Sequence, residues 1–216
     1  MFKPELIGLG LEVSDADWRG HVAESLNLSL MVLHDVDLRG ARLSNLLAEG
    51  TTLNGCNLDG ADLRGCRMQL WTSDTAIEED PLSVFPTLAA GSTWDPSDFD
   101  YEQWDDGAFE GLFAARFKRQ SAIFGSSFRG ANLSAAQLHG IVLENTDVSG
   151  ANLHGVNLSG SRIEDVSLRG ANLVGACLEG VSMVRVDLSG ADLSDADVTG
   201  LTLEDVTLDG VTGFSQ

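Results

Sequence analysis

Aromatic residues, proline and cysteine are all scarce in this chain: 216 residues include one Tyr, four Pro and three Cys. Cys56, Cys66 and Cys177 are an odd number and too few to staple a small fold, which points to a reduced compartment without structural disulfides. Basic residues are also few, 13 against 33 acidic ones, for a net charge of -20. A charge of that sign repels nucleic acid and anionic membrane and favours cationic partners, among them proteins whose ordinary ligand is DNA. No run approaches the roughly 18 apolar residues of a membrane span. Residues 1–12 hold one Lys and an apolar stretch broken by Gly and Glu, which does not read as a signal peptide. The expectation is a cytoplasmic protein that touches neither membrane nor nucleic acid directly.

Catalytic signatures are lacking as well. No Ser stands in a Gly-x-Ser-x-Gly elbow, and no Walker or dinucleotide motif is present. His21, His34, His139 and His154 are dispersed, with no paired cysteines near them, so no metal site is expected. The reading is a protein that is not an enzyme and needs no cofactor.

What the sequence does contain is a period of five. Ala131-Asn132-Leu133, Ala151-Asn152-Leu153, Ala171-Asn172-Leu173 and Ala191-Asp192-Leu193 share one frame. Every fifth position from Phe128 to Leu208 is apolar, and so is every fifth position from Val13 to Met68. Such a period suits neither a helix at about 3.6 nor a flat strand at 2. A corner every five residues does suit it. Each pentapeptide then forms one side of a square, with the large centre and the small residue two before it pointing inward. Gly or another turn-tolerant residue follows two after the centre, as at Gly140, Gly150 and Gly160. On this plan Cys56 and Cys66 are core residues, Cys177 is an outward thiol and the histidines face outward.

This A-(D/N)-L-x-x pattern resembles that of the pentapeptide-repeat family. The resemblance implies an all-β fold, a right-handed quadrilateral β-helix of about seven coils, about 35 Å long at the spacing of stacked strands. Three regions follow: N-terminal coils over residues 1–70, an insertion over 71–120, and C-terminal coils over 121–216, the two sets of coils forming one continuous solenoid.

The insertion breaks the period and concentrates acid. Asp74, Glu78, Glu79, Asp80, Asp95, Asp98, Asp100, Glu102, Asp105 and Asp106 fall within residues 71–107 without one Lys, Arg or His, alongside Trp71, Trp94 and Trp104. Two readings stand: a solvated loop whose aromatics fold back on the rod, or a partner-binding loop whose Trp and acids suit a basic protein. Phe109, Leu112, Phe113 and Phe117 then recur at helical spacing, which predicts a short amphipathic α-helix, either capping a coil edge or meeting a partner.

Positions twenty apart stack in columns. Glu144-Asn145, Glu164-Asp165, Val184-Arg185 and Glu204-Asp205 form one such column, a mostly acidic ladder in which Arg185 is expected either to pair with Asp165 and Asp205 or to interrupt a spacing like that of phosphates. Asp17, Asp37, Asp62, Asp147, Asp187, Asp192 and Asp197 precede centres, where a short carboxylate bonds nearby backbone.

Among family members, an acidic chain with an insertion between coil stacks is similar to the topoisomerase-protecting group, the Qnr-type quinolone-resistance proteins and the self-resistance proteins of organisms that make gyrase poisons. That resemblance implies a DNA mimic that docks on gyrase or topoisomerase IV through the insertion residues named above and through Glu144, Glu164, Asp165, Glu204 and Asp205. The alternative is a non-catalytic scaffold whose acidic insertion recognises an unrelated partner. The open edge of the last coil further predicts a homodimer through the C-terminal coil, with Val211 and Phe214 in the contact.

Overall fold

A large apolar residue at every fifth position is buried only if the backbone bends once per pentapeptide. Such corners need left-handed backbone, which Gly, Asn and Asp adopt at least cost. The computed structural model describes residues 5–7, 10–23, 26–29, 31–69 and 121–214. Its left-handed residues all stand two after a centre, as at Asp35 (φ 52°), Gly40 (φ 63°) and Asn45 (φ 58°), Gly213 excepted. One corner of the square is made of glycine in every coil, from Gly20 through Gly60 and Gly130 to Gly210, with φ between 61° and 70°.

Among the described residues, one side of the square is a continuous sheet of nine short strands in chain order. These are β1 (Glu5–Ile7), β2 (Gly10–Ser14), β3 (Val32–His34), β4 (Thr52–Asn54), β5 (Ala122–Phe124), β6 (Val142–Glu144), β7 (Arg162–Glu164), β8 (Ser182–Val184) and β9 (Thr202–Glu204). From β2 onward all pairings are parallel and offset by one coil of twenty residues, as in Leu143↔Ile163 and Met183↔Leu203. The offset across the insertion is Leu53↔Ile123, seventy residues in place of twenty, so the pairing register resumes after it with the five-residue frame unchanged. The other three sides pair through single residues, as in Asp37↔Asn57↔Ser127 and Arg42↔Asp62↔Asn132. The described coils, about seven and a half, form a rod of about 36 Å. This is the expected quadrilateral β-helix. Antiparallel β1, which lies outside the five-residue frame, is an addition to it: it covers the edge of β2.

The core is a column of large side chains capped at each level by small ones. Leu33, Leu173, Leu178 and Met183 are fully buried, and Ala131, Ala151 and Ala191 lie between them and the corners. At roughly 25 cal/mol per Å² of apolar area, this internal column is the main source of stability. Among the described residues the buried polar ones, Thr51, Ser121, Ser126, Thr146 and Ser161, all take the small inward position. Each donates to a main-chain carbonyl; Thr51 Oγ1, for example, donates to Leu28 O at 2.7 Å and Ser161 Oγ to Leu138 O at 3.0 Å. Polar groups are tolerated there because the adjacent corner supplies acceptors. The amphipathic helix expected before residue 121 lies outside the described residues. Among the described residues no helix is long and apolar enough to cross a membrane.

Candidate partner-binding surface

Because rungs repeat every twenty residues, outward side chains on neighbouring coils sit about 5 Å apart and interact directly. The acidic ladder shows the result. Arg162 and Arg185 both donate to the Glu164 carboxylate. Arg185 also reaches one coil down to Asp165, with Nε to Oδ1 at 2.7 Å and Nη2 to Oδ2 at 2.8 Å. The expected pair with Asp205 does not form: the guanidinium faces the preceding coil, and the two carboxylates there already take its Nε and Nη2. Hydrogen bonds from Arg162 and then Arg185 hold Glu164 below the usual carboxylate range, and those from Arg185 do the same for Asp165. Two of the five predicted ladder acids are therefore neutralised in place. Glu144, Glu204 and Asp205 have no ion pair among the described residues.

Arg185 is also the conformational exception in its corner. It adopts φ 52° in a column whose other members are Asp, Asn and Gly: Asp15, Asp35, Gly55, Gly125, Asn145, Asp165 and Asp205. A long side chain in left-handed backbone is disfavoured, and here it is held by its contacts to Glu164 and Asp165.

The seven aspartates that precede centres all accept a backbone N–H from two residues on, as expected. Ser149 N donates to Asp147 at 2.9 Å, for example, and Thr199 N to Asp197 at 3.0 Å. Several also hold an arginine that the sequence reading left unassigned. Arg19, Arg39 and Arg64 fold back on Asp17, Asp37 and Asp62 at 2.6 to 2.7 Å. Arg129 reaches Asp59 and Arg169 reaches Asp187 across one coil. The Asp-x-Arg spacing was legible, since residues on either side of a centre point outward together. The pairs between coils needed the register across the insertion. These contacts draw Asp17 and Asp187 down to about 2, chiefly through the Arg19 side chain in one case and the Ser189 hydroxyl in the other.

Cys56 and Cys66 are buried as predicted, and desolvation pushes the Cys66 thiol up to about 12. Cys177 is half-buried and is not isolated: its sulfur and the carboxylates of Glu179 and Asp197 lie within 4.8 Å of one another. Among the described residues no His joins that group. None of the four histidines is fully buried. His34 sits between Glu12, at 3.3 Å, and Asn54, at 3.1 Å. His21 occupies the inward alanine column but lies exposed in the first coil. The predicted insertion residues, Trp71 through Asp106, lie outside the described residues.

Eight copies of the motif described as pentapeptide repeats match residues 32–69, 126–165, 149–185 and 171–210. The chain belongs to the pentapeptide-repeat family. Solved pentapeptide-repeat proteins share its fold. Rfr23 from the cyanobacterium Cyanothece 51142 is 22% identical, with a TM-score of 0.50 over 74% of this chain and 90% of that one. HetL from Nostoc sp. strain PCC 7120, involved in heterocyst differentiation regulation, is 19% identical, with a TM-score of 0.52 over 96% and 85%. QnrB1, a plasmid-mediated fluoroquinolone resistance protein, is 15% identical, with a TM-score of 0.50 over 91% and 79%. No curated protein sequence matches significantly.

Proposed function

We propose that this pentapeptide-repeat protein is a non-catalytic rod that presents negative charge to the DNA-binding surface of a type II topoisomerase, gyrase or topoisomerase IV, and protects it from topoisomerase poisons. The observation that carries this reading is the combination of a net charge of -20 with a rigid rod about as long as one turn of duplex DNA, roughly 34 Å. A cytoplasmic location goes with that reading. QnrB1 supports it only through the shared fold, which by itself does not fix function.

The neutralisation of Glu164 and Asp165 moves weight off the middle of the ladder and onto Glu144, Glu204, Asp205 and the acidic insertion. The same observation favours a second reading, in which the rod is a support and the insertion binds an unrelated protein. A supercoiling assay with purified gyrase, with and without a fluoroquinolone, separates the two. Rescue of supercoiling in the presence of drug supports the topoisomerase reading. No effect on gyrase or topoisomerase IV leaves the scaffold reading in its place.

A further inference from the structure

The repeat puts a large side chain at each centre and a small one two before it, and Leu46-Leu47-Ala48 exchanges the two. Among the described residues Ala48 is the one alanine at a fully buried centre. The coils on either side carry Leu28 and Met68 at the same place, in register through Asn27↔Leu47↔Arg67. Leu46 in turn occupies the small position, where the next coil has Cys66. A centre points at the axis of the rod and the small position at a corner, so the exchange leaves room at the axis that Leu46 does not refill.

A cavity of about 40 Å³ marks that room. It runs along the axis and is walled mainly by centres, from Leu28 to Leu168. Residues of the small position join the wall at Leu46, Thr51, Cys66 and, farther along, Ile141. Three of these four surround Ala48, so the cavity widens there. Its wall exposes no polar atom, and the Thr51 hydroxyl donates to the Leu28 carbonyl at 2.7 Å. A cavity above roughly 10–15 Å³ holds a water only where two to four polar partners line it, so this one is dry. It lies under the closure of the insertion, where the Ser121 hydroxyl reaches the Ala48 carbonyl at 3.4 Å.

We infer that the cavity beside Ala48 is a binding site for one small apolar molecule, in the size range of xenon, dioxygen or methane. Atoms that line a void lack dispersion partners on one side, and an apolar guest supplies them without disturbing a hydrogen bond. Polar guests are rejected because the wall cannot replace their hydration. Met68, unbranched and adaptable, forms part of the wall and can shift to seat the guest. The site is internal, so the inference is independent of the partner that the outer surface meets.

Xenon is the probe, applied under pressure to the full chain and followed through the methyl signals of its NMR spectrum. The expected result is a saturable shift at Leu28, Ala48 and Met68, with Leu173 and Leu188, which lie in the core outside the cavity wall, unmoved. Ala48→Leu fills the space and should weaken xenon binding at least about tenfold. Leu46→Ala enlarges the space and should tighten binding, which decides the matter if Ala48→Leu does not fold. Shifts no larger at Ala48 than at Leu173, or confined to the surroundings of Ile141, would overturn the inference. Equal binding by the natural chain and Ala48→Leu, or by the natural chain and Leu46→Ala, would also overturn it.

Discussion

The Ser121 hydroxyl donates to the carbonyl of Gln69 at 2.7 Å although 52 residues separate them, and it accepts the N–H of Gly50 at 2.8 Å. This pair closes the rod beneath the insertion: the last residues before it and the first after it meet as ordinary neighbours in one coil. A chain in which Leu70 is joined directly to Ser121 therefore keeps the repeat frame. Its far-ultraviolet circular dichroism should show an intact β-helix with cooperative melting. Under the topoisomerase reading the same deletion weakens protection of gyrase; full protection would place the binding surface on the rod alone.

Ser121→Ala removes one donor and one acceptor from a buried site. The Gly50 N–H and the Gln69 carbonyl each lose a partner but stay bonded to each other at 3.2 Å, so the expected cost is about 0.5–1.5 kcal/mol in chemical denaturation. Ser134→Ala, on an outward position two sides further along the coil, serves as the comparison and should change stability by less than about 0.5 kcal/mol.

Core truncations should reveal a gradient along the rod. Leu168→Ala, at a fully buried centre, should cost about 2–5 kcal/mol, whereas Leu208→Ala at the exposed end should cost less than about 1 kcal/mol. Equal costs would mean that the last coil is as well packed as the middle.

Arg185→Gly removes a disfavoured left-handed side chain together with its exposed contacts to Glu164 and Asp165. The two changes oppose each other, so the melting temperature should move little. Negative charge on the ladder rises, and association with a basic partner should become faster and more dependent on salt. An unchanged association rate would show that this column lies outside the contact.

Acid should destabilise the protein in a defined window. Asp17 and Asp187 are drawn down to about 2 in the folded state, against an ordinary value near 3.9. They support the fold above pH 4, and that support is lost as pH falls through the folded value. Stability measured by urea should be flat with respect to these groups between pH 7 and 5 and fall between about pH 4 and 2. Asp187→Asn should flatten that fall.

How far the sequence could be read depended on distance along the chain. The centres from Phe128 to Leu208, the small inward Cys56 and Cys66, and the backbone bonds of Asp17 through Asp197 all follow from the five-residue frame, because each depends only on its own pentapeptide. Arg185 shows the limit. Its column was legible, but whether it turned to Asp165 or Asp205 depended on a side-chain choice between two equivalent coils. The Arg129 to Asp59 pair depended on knowing that the coil holding Ser127 stacks directly on the one holding Asn57. The cluster of Cys177, Glu179 and Asp197 joins two coils, and its members look unrelated in a linear reading.

The glycine corner that runs from Gly20 to Gly210 acts as a phase marker for the whole solenoid. At Gly20, Gly40, Gly60, Gly130, Gly150 and Gly170 an added Cβ would meet nothing within 4 Å, so crowding is not what keeps side chains out; the left-handed backbone is. Gaining or losing a single residue within a coil would carry every later glycine off its corner and turn leucines outward. Length can therefore vary freely only where the two flanking ends of the coil meet, as Gln69 and Ser121 do. In this architecture the rod is intolerant of insertions and deletions, and new sequence enters as side loops, which makes those loops the part of the molecule most able to acquire a new partner without refolding the rest.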